Sequence, residues 1–145
     1  MMWYDATEIA RFILTECFKK NISISNLKLQ KMLYFVWVDF FKKTKRKLFL
    51  DEFCAWQLGP VIPEVYYEYC SYAGRPICEY YENVEVEAED QNILEKIISK
   101  YSFVSANELV SMTHQRGSAW DIVYRDGLGN RETIPFELII RKEVG

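Results

Sequence analysis

The sequence predicts a mainly α-helical fold with α+β character: a compact helical domain around a buried central helix, with a small antiparallel sheet inserted in the middle. Three observations predict it. Apolar residues recur at helical intervals in the first twenty residues and again beyond residue 90. The stretch 27–41 is apolar almost all round, as a helix enclosed by its own domain must be. Between these regions, an alternating apolar run meets Gly59-Pro60, and Pro63 follows within three residues. At 145 residues, 50% apolar and 16% aromatic, the chain can bury a core of its own, and a disordered chain is excluded.

The first helix is expected over 7–20. Asp5 and Glu8 have capping-box spacing, Ile9, Phe12, Ile13 and Cys17 share a face, and Asn21 is a plausible stop. Ser23 or Ser25 caps a second helix of about twenty residues that ends near Lys43 or Lys45. Residues 48–50 and 53–58 read as short strands, a hairpin with Asp51-Glu52 at its turn. Gly59-Pro60 then makes a corner, and Pro63 suits the first position of a helix over 63–73 that Gly74 ends. In 75–88, Val84, Val86 and Ala88 alternate with Glu85 and Glu87, so one or two strands are expected there. Helices return at 90–101 and at 106–114, the latter capped by Ser105 with Glu108 in the capping box. A short helix at 118–124, a loop at 127–130 and a last helix at 135–142 opened by Pro135 complete the chain.

The N-terminus has no basic region followed by an apolar stretch, and Lys28, Lys31 and Asp39 break the apolar runs long before a membrane could be spanned. A cytoplasmic protein without membrane contact is expected. Cys17, Cys54, Cys70 and Cys78 form no CxxC pair and lack a histidine at zinc-site spacing, so no metal site is expected, and no cofactor motif is readable. His114 is the only histidine. Cys54 or Ser118 with Asp121 would have to complete a catalytic set around it, and no nucleophile-elbow pattern supports one, so no enzyme and no catalytic residue is predicted.

Four pieces stand in a telling order. They are Leu27-Lys28-Leu29-Gln30-Lys31-Met32-Leu33-Tyr34; Ala55-Trp56 through Gly59-Pro60-Val61 to Tyr66; Thr113-His114 with Gly117-Ser118-Ala119-Trp120; and Ile134-Pro135. In this sequence the four together resemble the Panacea domain family of SocA-like and phage-associated, GepA-like antitoxin domains, over roughly residues 5–142. The resemblance implies an antitoxin that neutralises a cognate toxin, encoded nearby, by direct protein binding or as an adaptor delivering it to a protease. It implies one Panacea-like domain over residues 1–145, with no additional DNA-binding or catalytic domain. It also marks Lys28, Gln30, Lys31, Tyr34, Trp56, Gly59, Pro60, Val61, Tyr66, His114 and Trp120 as family-motif residues and candidate partner contacts.

Each marked residue also has a plainer role. Trp56 and Trp120 fit core packing better than a binding hot spot, although tryptophan serves both. His114 fits the end of a helix, bonded to free carbonyls or a neighbour. Gln30 can satisfy a buried backbone group, while Lys28 and Lys31 are expected to snorkel to solvent. Residues 79–90 hold six acidic side chains and no basic one, which offers Glu82, Glu85 and Glu87 as a surface for a basic partner. Five of the six residues 42–47 are basic (Lys42, Lys43, Lys45, Arg46, Lys47). A solvated helix end is the preferred reading of that run. The alternative is a phage-associated nucleic-acid-binding regulator that uses it, although the charges are not interleaved with aromatics and nucleic acid is not the expected partner. A homodimer is compatible with either reading.

Overall fold

The computed structural model describes residues 3–145. Helix α1 (Ala6–Lys19) starts at Asp5, whose N–H donates to Glu8 Oε1 at 3.1 Å, and leads into a turn where Asn21 takes φ 58°. Helix α2 (Asn26–Thr44) is capped by the Ser25 hydroxyl, which accepts from Lys28 N at 3.2 Å, and closes with Lys45 in the left-handed region. Strands β1 (Phe53–Trp56) and β2 (Gly59–Val61) form a hairpin, and α3 (Pro63–Glu68) begins at its proline. Helices α4 (Ala88–Ser102), α5 (Ala106–Thr113) and α6 (Ala119–Tyr124) follow. Strand β3 (Thr133–Ile134), helix α7 (Phe136–Ile139) and a wider helical turn (Ile140–Val144) end the chain. Helices dominate, at 58% of the residues, so the mainly α expectation with a small sheet holds.

α2 is the buried centre. It packs against α1, α3, α4, α5, β2 and the final turn. Met32, Leu33, Val36 and Trp37 are fully enclosed. The Trp37 ring lies parallel to Phe136 at 4.8 Å and to Phe41 at 5.7 Å, and its indole N–H donates to Phe49 O at 3.0 Å. A large apolar ring is thus buried with its one polar atom satisfied. Cys17 is buried, Cys54 half-buried, and all four cysteines are free thiols.

The antiparallel sheet has the order β2-β1-β3 and differs from the expected hairpin. The turn is Gln57-Leu58, between Trp56 and its partner Gly59, not Asp51-Glu52. Asp51 instead accepts from Ala6 N at 3.0 Å, and the 48–50 segment forms only a parallel bridge between Phe49 and Tyr4. Pro60 therefore lies within β2 rather than in a turn, which an edge strand tolerates because the ladder loses no inner donor. Strand β3, which pairs Ile134 with Phe53, is two residues long, too short to show alternation in sequence.

No strand forms over 75–88. The segment crosses helices, where its bonds are single ones such as Ile77 N to Ile24 O and Thr15 Oγ1 to Tyr81 O, so no ladder partner is available. The alternation survives as burial, with Val86 inside and Glu85 and Glu87 outside. α3 is shorter than expected: after Glu68 the chain tightens into a 3₁₀ turn (Cys70–Tyr72), and Ala73, not Gly74, takes the positive φ.

Asp90 ties three distant pieces together. Buried at the start of α4, it accepts from Tyr4 Oη at 2.7 Å and from Arg46 Nη2 at 2.5 Å. Asp90→Ala leaves the enclosed Tyr4 hydroxyl without its acceptor. Urea unfolding is expected to show a loss of about 1–3 kcal/mol, with the midpoint shifted and the slope unchanged.

Candidate partner-binding site

Burying α2 from Asn26 to Phe40 forces the polar side chains of that stretch to find partners inside the protein. In its first turns, Asn26 and Gln30 stand one turn apart and build a relay. Asn26 Nδ2 donates to Tyr66 O at 3.0 Å, Gln30 Nε2 donates to Asn26 Oδ1 at 3.0 Å, and Gln30 Oε1 accepts from Ile62 N at 3.0 Å. The relay fastens the start of α3 to α2. Lys28 and Lys31 do not snorkel to solvent as expected. Lys28 Nζ donates to Ser102 O at 2.5 Å, at the end of α4, and Lys31 Nζ donates to Pro60 O at 2.7 Å. Each ammonium has a carbonyl within reach on a neighbouring element, whereas the route to water is closed by packing.

Lys31 is fully buried with no carboxylate beside it. Burial disfavours its charged form and draws its pKa down to about 7. Its stem packs where a β-carbon on Gly59 would lie: such an atom would come within 2.9 Å of Lys31 Cε and 2.7 Å of Thr113 Oγ1. Gly59 also holds φ +116°, so glycine is required here on two counts. Val61, at the far end of β2, is buried and paired with Cys54.

The third motif closes on the same place. His114 caps α5 and its ring lies flat on Trp120 at 3.9 Å, while Trp120 stacks on Tyr124 at 4.6 Å from its other neighbour. The Trp120 indole N–H donates to Trp56 O at 2.7 Å, joining α6 to β1. Burial lowers the His114 pKa, with the nearby Lys31 charge acting in the same direction, and its Nε2 is enclosed without a hydrogen-bond partner. Asp121 accepts from Gly117 N and the Ser118 hydroxyl donates to Thr113 O, so neither is bonded to His114. Tyr34, deeper in the core, donates to Glu143 Oε2 at 3.0 Å. The same oxygen accepts from Ala119 N at the start of α6.

Above this scaffold opens a groove of about 380 Å³ between α2, the β1–β2 hairpin and α3. Gln30, Lys31 and Val61 contribute to its lining, as do Trp56 and Tyr66, whose rings meet edge to face at 4.9 Å. The Arg131 guanidinium lies over the Trp56 ring at 4.3 Å, a cation–π contact, and Leu58 and Tyr67 stand exposed nearby. The site joins residues from four separate stretches of sequence. Lys28 and Tyr34 stand apart from the groove, as struts to α4 and to the final turn. Glu82, Glu85 and Glu87 are exposed elsewhere, the last two beside Tyr4 and Glu8.

Sequence reasoning missed Asn26, Arg131 and Glu143. The one-turn spacing of Asn26 from Gln30 was a usable signal, but nothing marked Arg131 in its loop. Among the described residues, no group of three His, Cys, Asp or Glu side chains is placed to hold a metal ion, and no helix is long and apolar enough to cross a membrane.

The fold and the joined motifs define a small helical module of the antitoxin-associated Panacea class. Residues 29–121 match the family model described as "Antitoxin SocA-like, Panacea domain". The chain is also 33% identical over 135 residues to Antitoxin SocA of Caulobacter vibrioides (strain NA1000 / CB15N), covering 82% of this chain and 70% of that one. The protein belongs to the SocA-like Panacea family. No solved structure matches it.

The buried Lys31 amine makes a signed prediction. The unfolded chain keeps this proton up to the ordinary lysine value of 10.5, while the folded protein releases it near 7. Between those values the unfolded state binds more protons, so the contribution to stability rises with pH. At lower pH the whole cost of burying the ammonium is present. Lys31→Met removes this slope. Urea unfolding at several values between about pH 6 and pH 9 is expected to show the variant at its best relative to the parent at the acid end, its advantage falling as pH rises. A pH-independent difference would contradict the assignment.

Proposed function

We propose that the protein is an antitoxin that binds a cognate toxin directly and neutralises it through the groove at the β1–β2 hairpin. The observation that carries this reading is the similarity to Antitoxin SocA over 82% of the chain, together with the family match over residues 29–121, which takes in the motif residues from Gln30 to Trp120. The groove supports it physically. Trp, Tyr and Arg are the side chains that most often anchor protein interfaces, and Trp56, Tyr66, Tyr67 and Arg131 meet here on a scaffold fixed by buried hydrogen bonds. A rigid paratope loses little entropy on association.

His114, Trp120, Gly59, Pro60 and Val61 hold the groove's floor in this reading, while Lys28 and Tyr34 of α2 brace it against α4 and the final turn. Glu82, Glu85 and Glu87 act at longer range, drawing a basic toxin toward the protein and speeding encounter more than tightening the complex. Neutralisation follows either from covering the toxin's working surface or from handing the bound toxin to a protease. Both begin with the same binding step, and toxin abundance after antitoxin induction separates them.

Co-expression with each adjacent reading frame, scored by growth and by pull-down through a tag on this chain, tests the proposal. A toxic neighbour is expected to be silenced and to co-purify. Trp56→Ala with Arg131→Ala then weakens the complex by roughly 2 kcal/mol or more, about thirtyfold, without unfolding the protein. Full neutralisation by that double variant would remove the groove from the interface. The absence of any toxic, co-purifying neighbour would remove the antitoxin reading itself.

A further inference from the structure

A second groove, of about 540 Å³, runs between the C-terminal half of α2 and the middle of α4. Its floor is aliphatic: Ile93 and Ile97, one turn apart on α4, are half-buried and packed against the core. Its rim is cationic on both sides, with Lys42 and Lys43 on α2 and Lys96 and Lys100 on α4. One carboxylate, Asp39, lines it, and that charge is already engaged by Lys100 Nζ at 3.1 Å and by Tyr101 Oη at 2.7 Å. Among the described residues the ion pairs are Arg11–Glu68, Lys19–Glu16, Arg46–Asp90, Lys100–Asp39 and Arg125–Glu132. Among the described residues, Lys42, Lys43 and Lys96 thus have no carboxylate partner. The chain carries a net charge of −3, so this local excess of positive charge runs against its overall balance.

We infer that this groove docks an acidic amphipathic segment of a protein partner, with apolar side chains on Ile93 and Ile97 and carboxylates at the lysine rim. The chemistry of the groove selects that occupant. Two isoleucines bracketed by lysines call for a ligand with an apolar stripe flanked by negative charge, the pattern of an amphipathic helix laid in a groove. A nucleic-acid strand would match the charge, but it would leave the aliphatic floor uncovered and find no aromatic ring in the lining on which to stack a base. The surface is separate from the groove at Trp56, so the inference stands whatever partner that groove takes.

Fluorescence anisotropy of the full chain against three labelled probes tests it. The first is a helical peptide with leucines one turn apart and glutamates flanking them. The second is a peptide of the same composition with that spacing scrambled. The third is a single-stranded oligonucleotide of equal charge. The first is expected to bind saturably, at least about tenfold tighter than the other two. The triple variant Lys42→Glu, Lys43→Glu, Lys96→Glu is expected to lose roughly tenfold or more in affinity while keeping its helical circular-dichroism signal, since all three side chains are exposed. Failure of the first peptide to bind, equal binding by the scrambled peptide or the oligonucleotide, or undiminished binding by the triple variant would each overturn the inference.

Discussion

Burial of α2 along the stretch from Asn26 to Phe40 is the constraint from which the rest of the architecture follows. A helix in that position cannot send its polar side chains to water, so each must bond to a neighbouring element or be absent. Lys28 bonds to the end of α4, Gln30 to the start of α3, Lys31 to β2, Tyr34 to the final turn, and Trp37 to the segment before β1. The apolar residues between them supply the bulk of the burial and little direction. The polar ones supply direction: they fix which carbonyl or amide of each neighbour faces the central helix. Lys31, buried with a carbonyl as its partner, keeps its place at the cost of desolvating its charged form.

That division of labour explains what could be read in the sequence. The helices were legible because apolar spacing and caps are local: Ser25, Ser105 and Pro63 act where the sequence puts them. The sheet was legible only in part. Alternation announced strands near residues 53–58 and 84–88, yet pairing depends on what lies alongside, and only the first found an edge. Asp51 looked like a turn residue because its partner, Ala6 N, lies 45 residues away in sequence. Lys28 and Lys31 were misplaced for a related reason. A lysine in an apolar helix ordinarily reaches for solvent, and the carbonyls that hold these two lie 74 and 29 residues away in sequence. The motifs held Gln30, Lys31, Trp56, Val61 and Tyr66 of the groove's lining; Asn26 and Arg131 lay outside them, and a cation–π contact with Trp56 leaves no spacing signature.

The surface divides by chemistry rather than by sequence position. Around Trp56 it is aromatic with one exposed guanidinium, Arg131, over the indole. Between α2 and α4 it is aliphatic with a cationic border, and along Glu82, Glu85 and Glu87 it is anionic. Arg46, which belongs to the basic run by sequence, is removed from it by its bond to Asp90. The run at 42–47 is thereby reduced from one continuous patch to lysines facing α4 and lysines facing solvent. Charge counted along a chain and charge presented on a face are different quantities, and binding responds to the second.

The meeting of Lys31, Gly59 and Thr113 bears on how such a protein could change partners over evolutionary time. A methyl group at Gly59 collides with both of the others, so drift at one position is blocked unless the others move with it. Leu58, Tyr67 and Arg131 are exposed around this joint. Rim residues can therefore change one at a time, while the platform beneath is inherited whole.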